Sequence, residues 1–359
     1  MNDFNSLKDY DRSGMFGILN DFAKQISEAW QIGKNAPLFK ETKTPWDIII
    51  LGMGGSAIGG DLLRSYSLAT PGADHLRIHI NRTYELPGFV DDSFHVIASS
   101  YSGGTEETLY SFGQAAEKTK YLLSICSGGK LAQFSNLNTI PVIEIPGGMQ
   151  PRCALGYSFI VLLNVMMRTG AYAEQAMSTT NQAISESIDL IRKRSEEYSA
   201  FNDNNPAIVL ANRIKGKIPV IYSASDRFDT VNLRWRGQIQ ENAKHIAFGN
   251  LLPEMNHNEI NGWQLPEELQ KSFIFIFLED KEDHPRNTLR FKALKNILEK
   301  QGKDVITLTA KGDNLLTRML DSIYLADWTS YYLSLLYKQD PTAIPVITEL
   351  KNFLSQNEE

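Results

Sequence analysis

A chain of 359 residues with 42% hydrophobic and 22% charged residues has room for two cores and the make-up of a globular protein, which excludes the disordered and fibrous classes. Its net charge of −6, with Lys and Arg dispersed, argues against a nucleic-acid surface and means that an anionic ligand needs a local positive site. The acidic start MNDFNSLKDYDRSGMFGIL is no signal peptide, no stretch is apolar over the roughly 18 residues of a membrane span, and two cysteines, Cys126 and Cys153, suit a reducing compartment, so a cytoplasmic location without membrane contact is expected.

Residues 1–45 read as a helical lead-in, because Phe16, Leu19, Phe22, Ile26 and Trp30 recur at spacings of three and four and make one apolar helix face. From residue 46 short apolar runs alternate with helical stretches. WDIIILGMGG is a strand meeting a glycine turn, SAIGGDLLRSYSL a helix, and residues 77–80, 94–100, 121–126 and 140–146 are further strands. A long helical stretch follows from Ala154, and the polar run 196–207 reads as a boundary. The alternation then resumes with strands at 218–225, 245–250, 272–280 and 304–310, before a helix, a Pro-bounded turn and a final helix. The pattern predicts an α/β protein of two tandem doubly wound parallel sheets, at 46–200 and 206–340, with a C-terminal helix in 341–359 over the site.

Two loops stand out at strand ends. Gly54, Gly55 and Ser56 follow the first strand, and Ser100, Ser102 and Thr105 surround two glycines where the third strand hands over to a helix. In a doubly wound sheet these ends share one crevice, where free helix-terminal N–H groups and hydroxyls together bind a phosphate without Lys or Arg. Read alone, Gly52-x-Gly54-x-x-Ala57 also satisfies the dinucleotide fingerprint, with Arg82 available for a 2′-phosphate, and a purely structural glycine turn is a further reading.

The serine and threonine loop resembles the phosphate clamp of SIS (sugar isomerase) domains, and the chain as a whole resembles the bifunctional phosphoglucose/phosphomannose isomerase family. The resemblance rests also on GGMQPRCALGYS around Arg152, RWRGQIQENAKHIAF around Glu241, LLPEMNHNEINGW around His257, and the C-terminal stretch ending at Lys351. Gly104 departs from the Asn that many relatives carry.

The resemblance implies aldose–ketose isomerisation of glucose 6-phosphate and mannose 6-phosphate to fructose 6-phosphate through a cis-enediolate, with no cofactor. It assigns the phosphate to Gly54, Gly55, Ser56, Ser100, Ser102 and Thr105, and the catalytic base to Glu241, read here as lying in a helix start. Ring opening falls to His257 and Lys351, and stabilisation of the intermediate to Arg152. It further implies a homodimer in which His257 enters the partner's site. The six histidines show no metal-ligand spacing, so no metal is expected. A non-catalytic sugar-phosphate-binding regulator and another SIS isomerase remain as alternatives.

Overall fold

The computed structural model describes residues 7–357 apart from Thr42 and Asp226; residues 1–6 of the lead-in and the last two of the C-terminal segment lie outside the described residues. The lead-in holds helices α1 (Met15–Asn20) and α2 (Phe22–Asn35). The Asp11 carboxylate accepts the Met15 and Phe16 N–H groups, both at 2.8 Å, and so starts α1. Leu19, Phe22, Ile26 and Trp30 are buried, as their spacing predicts.

The first sheet takes strands β1 (Asp47–Leu51), β2 (Arg77–Asn81), β3 (His95–Ser99), β4 (Leu122–Cys126) and β5 (Val142–Glu144) in the order β2-β1-β3-β4-β5. All pairings are parallel, with Ile50 of β1 opposite Ile80 of β2 and Ile97 of β3. β3 and β4 are buried on both faces, which is why they read as continuous apolar runs rather than alternating ones. The connecting helices are α3 (Gly54–Leu68), α4 (Glu106–Ala116) and α5 (Gly129–Leu137).

After β5 a 3-10 turn at Pro151–Cys153 leads into α6 (Leu155–Arg168) and α7 (Glu174–Ser199). α7 runs through the first residues of the polar stretch expected to break the chain, because Ile191, Ser195 and Tyr198 continue its buried stripe. The break is confined to residues 200–205, where Asn205 caps α8 (Pro206–Ile214) by accepting the Ala207 and Ile208 N–H groups.

The second sheet takes β6 (Ile218–Ala224), β7 (Phe248–Leu252), β8 (Phe273–Glu279) and β9 (Asp304–Thr309) in the order β7-β6-β8-β9, again all parallel. Its helices are α9 (Asp229–Ala243), α10 (Pro285–Lys300) and α11 (Leu315–Leu336). α11 is buried along its whole length and carries Tyr324, Trp328, Tyr331 and Tyr332 into a core continuous with Ile50, Ile97 and Phe159 of the first half. The two halves therefore meet over shared apolar contacts, which holds their facing edges in fixed register.

The last helix, α12 (Pro345–Ser355), leaves Val346, Leu350 and Phe353 exposed and borders an open groove of about 830 Å³ together with Ser13 and Gln150. Among the described residues no helix is long and apolar enough to cross a membrane.

Candidate active site

The order β2-β1-β3 means that the chain turns opposite ways after β1 and after β3, so the C-terminal ends of those two strands open a crevice between them. α3 and α4 both begin there, and neither first turn is capped by a side chain. Their N–H groups and dipoles thus converge on one place that favours an anion. The hydroxyls are arranged around it by their own hydrogen bonds: Ser100 Oγ and Thr105 Oγ1 are 2.9 Å apart, and Ser102 Oγ accepts the Gly104 N–H at 3.3 Å. Ser100 is buried, Thr105 half-buried and Ser102 exposed. Ser56 is buried, and its Oγ accepts the Tyr101 N–H at 3.0 Å, which ties the α3 turn to the β3 loop.

The glycines of the α3 segment have packing reasons. A Cβ on Gly52 would lie 2.9 Å from the Ser99 carbonyl oxygen, one on Gly55 2.7 Å from the Pro151 backbone, and one on Gly59 2.6 Å from the Ser158 carbonyl oxygen. Arg82, the residue a 2′-phosphate would need, is paired with Asp61. The cation that the dinucleotide reading needs is thus already paired within the chain, and the glycines serve close approach.

The contact of Gly55 with Pro151 and Arg152 brings the second group of residues to the crevice. Arg152 is 2% exposed and nearly all of its hydrogen-bonding capacity is committed. Nε donates to Asn242 Oδ1 at 2.6 Å, Nη1 to Glu241 Oε2 at 3.3 Å, and Nη2 to the carbonyls of Pro341 at 2.8 Å and Thr342 at 2.9 Å. Of the five N–H groups of a guanidinium, one on Nη1 is left over, beside a Glu241 side chain that is 33% exposed. The Arg152 carbonyl is held in turn by Arg234 Nη2 at 2.6 Å, and Arg234 pairs at 3.1 Å with the buried Asp327. Burial holds the Asp327 carboxyl above its ordinary range, a rise that the Arg234 charge and the Gln238 amide reduce without cancelling.

Glu241 lies near the C-terminal end of α9, not in a helix start. The helix begins early, at Asp229 soon after β6, and ends at Lys244, whose φ of 52° is left-handed. Lys244 as a whole is exposed, but its ammonium folds back to donate to the Asn242 carbonyl at 3.0 Å and to the Asp340 carbonyl. Partial desolvation, with Arg152 nearby, pushes it down to about 8. Asn242, Lys244 and the 340–342 turn were not singled out from the sequence. Asn242 and Lys244 flank the glutamate in IQENAK, yet nothing in that string shows that a turn a hundred residues later closes on them. The β4–α5 loop was missed as well: Ser127 donates through Oγ to the Tyr101 carbonyl at 2.7 Å, and Gly129 packs on the Ser102 carbonyl.

His257 and Lys351 are placed differently. α9 returns from the C-terminal to the N-terminal edge of the second sheet over about 22 Å, and β7 then runs forward again parallel to β6. Glu241 and His257, five residues beyond β7, therefore belong to opposite edges of that sheet within one chain. His257 is exposed and Lys351 lies on the exposed α12, about 9 Å along the helix axis from Pro345. Among the described residues neither makes a hydrogen bond or ion pair with Arg152 or Glu241. Also among the described residues, no group of three or more His, Cys, Asp and Glu is placed to hold a metal ion.

Solved structures share this architecture. A hypothetical protein, TT0462, from Thermus thermophilus superposes with a TM-score of 0.72 at 16% identity, over 98% of this chain and 94% of that one. Residues 203–354 match the family described as the bacterial phospho-glucose isomerase C-terminal SIS domain. Sheets, strand-end loop and domain match together define an α/β protein of the SIS, or sugar-isomerase, class.

The bifunctional phosphoglucose/phosphomannose isomerase of Caldicellulosiruptor bescii is 38% identical over 95% of this chain and 99% of its own length. The enzyme of the same name from Aquifex aeolicus is 35% identical over 88% of this chain and 92% of its own. The chain belongs to the bifunctional phosphoglucose/phosphomannose isomerase family.

Proposed function

We propose that this protein interconverts hexose 6-phosphates between aldose and ketose forms, glucose 6-phosphate and mannose 6-phosphate with fructose 6-phosphate, by proton transfer through a cis-enediolate. Family membership supports the reaction class. The observation that carries the mechanism is the Arg152–Glu241 pair, a partly exposed carboxylate beside a buried guanidinium with one donor unspent.

The phosphate rests on the α3 and α4 N-termini with the hydroxyls of Ser100, Ser102 and Thr105, and with Gly54, Gly55 and Ser56 forming the opposite wall. Glu241 removes the proton from C2 of the aldose and returns it at C1, a shuttle that a carboxylate can make between neighbouring carbons. The negative charge that builds on the sugar oxygens meets the remaining Arg152 N–H, held in place before the reaction begins. Because the enediolate is planar at C2, a proton returned on either face gives either epimer, so formation of both aldoses requires the intermediate to turn relative to Glu241. Each step moves a proton and none moves an electron pair to a redox centre, so the sequence of steps calls for no cofactor.

His257 and Lys351 act in opening the ring, with His257 supplied by the partner subunit of a homodimer. The placement of Glu241 and His257 at opposite edges of one sheet supports this division, since one chain alone does not bring them together. The buried free thiols Cys126 and Cys153 are in keeping with a cytoplasmic protein.

Subunit mixing tests the reading. Glu241→Gln and His257→Ala should each be nearly inactive, and co-refolding them in equal amounts should restore about one quarter of wild-type turnover, because half the dimers then carry one complete site of two. Activity no higher than the sum of the parents would overturn the shared site.

A further inference from the structure

The guanidinium of Arg152 is gripped on three sides, and one grip has a polarity that can be traced atom by atom. Ser330 Oγ donates its only proton to the Asp327 carbonyl at 2.9 Å, so towards Asn242 it offers a lone pair. Asn242 Nδ2 accordingly donates to Ser330 Oγ, also at 2.9 Å. That fixes which way the amide faces, with Oδ1 turned to the Arg152 Nε–H at 2.6 Å. Asn242 is fully buried, as is Ser330, so no water competes for these bonds and a flipped amide would set two donors against each other at Nε.

We propose, resting on the assignment of Arg152 to the intermediate, that Asn242 is a positioning residue that sets the rotation of the Arg152 guanidinium. Through Nε it decides where the one uncommitted Nη1–H points, towards the space in front of Glu241. The carbonyls of Pro341 and Thr342 hold the opposite side of the fork at Nη2, and Lys244 ties their turn to the end of α9 through the Asp340 and Asn242 carbonyls. Only the Nε contact comes from a side chain that is itself hydrogen-bonded to the core helix α11, through Ser330. A structural amide with no such role would stabilise the fold and leave the chemical step alone.

The phosphate loops lie on the first sheet, and the Asn242 side chain bonds to Arg152 and Ser330 rather than to any of their hydroxyls, so the two effects separate in the kinetics. Asn242→Leu, close in volume and without an acceptor, should lower kcat by about 10- to 100-fold while KM for fructose 6-phosphate stays within about two-fold. Ser330→Ala, which deletes one buried hydroxyl and frees the amide to turn, should lower kcat by about three- to ten-fold with KM again unchanged, and provides the readout if Asn242→Leu does not fold. Both losses should vanish in an Arg152→Lys background, because Asn242 acts through the guanidinium.

A wild-type kcat in Asn242→Leu, or an equal loss with and without Arg152→Lys, overturns the positioning role. A wild-type protein with no isomerase activity overturns the proposed function and this inference with it, whereas an active wild type with an indifferent Asn242 overturns the inference alone.

Discussion

Glu241→Gln loses turnover by about 10²- to 10⁴-fold while binding of fructose 6-phosphate is kept, the range typical for removal of a positioned general base. Gln has the size and shape of Glu, and its carbonyl oxygen still accepts the Arg152 Nη1–H, so the buried fork is not disturbed. What disappears is the ability to hold the C2 proton between the two carbons. Isothermal titration against single-turnover kinetics separates the two: a dead variant with intact affinity is the expected result, and a variant turning over within about three-fold of wild type would remove Glu241 from the chemistry.

Arg152→Met is expected to fail in two ways at once. Loss of a preorganised donor to a developing oxyanion lowers kcat by about 10²- to 10³-fold. The buried Asn242 Oδ1 is also left without its partner, at a cost of about 1–3 kcal/mol, so the melting temperature falls as well. Arg152→Lys separates the charge from the fork. An ammonium restores the charge but cannot reach Asn242, Glu241 and two carbonyls from one planar group, and kcat should stay closer to that of the Met variant than to wild type. Scanning calorimetry with steady-state kinetics on both variants checks this, and full turnover in Arg152→Lys would show that charge alone suffices.

Much of this arrangement was legible in the sequence. The apolar runs that alternate with helical stretches fall on strands of both sheets, most clearly β3 and β4, which are covered on both faces and so apolar throughout, whereas the run expected at 245–250 is displaced from the edge strand β7 at Phe248–Leu252. The strand-end hydroxyls were legible too, since Ser100 and Thr105 sit at a sheet-to-helix junction where their local role does not depend on distant residues. The end of α9 was misjudged: the polar letters around Glu241 resemble a helix start, and only the left-handed Lys244 behind them shows that they are an end. The wiring of Arg152 was out of reach for a different reason. Its partners lie 90 and 190 residues away in the chain, and no periodicity connects a side chain at 152 with carbonyls at 341 and 342. Likewise, Lys351 could be placed on a final helix, but how that helix, with Val346, Leu350 and Phe353 exposed, sits on the body is a tertiary property.

The most direct test is to incubate the purified, chelator-treated protein with fructose 6-phosphate in deuterated water and to follow the products by NMR. Glucose 6-phosphate and mannose 6-phosphate should both appear, with deuterium at C2 to the extent that Glu241 exchanges its proton with solvent before returning it. If neither aldose forms while fructose 6-phosphate still raises the melting temperature, the strand-end loops bind the phosphate and the isomerase mechanism is wrong.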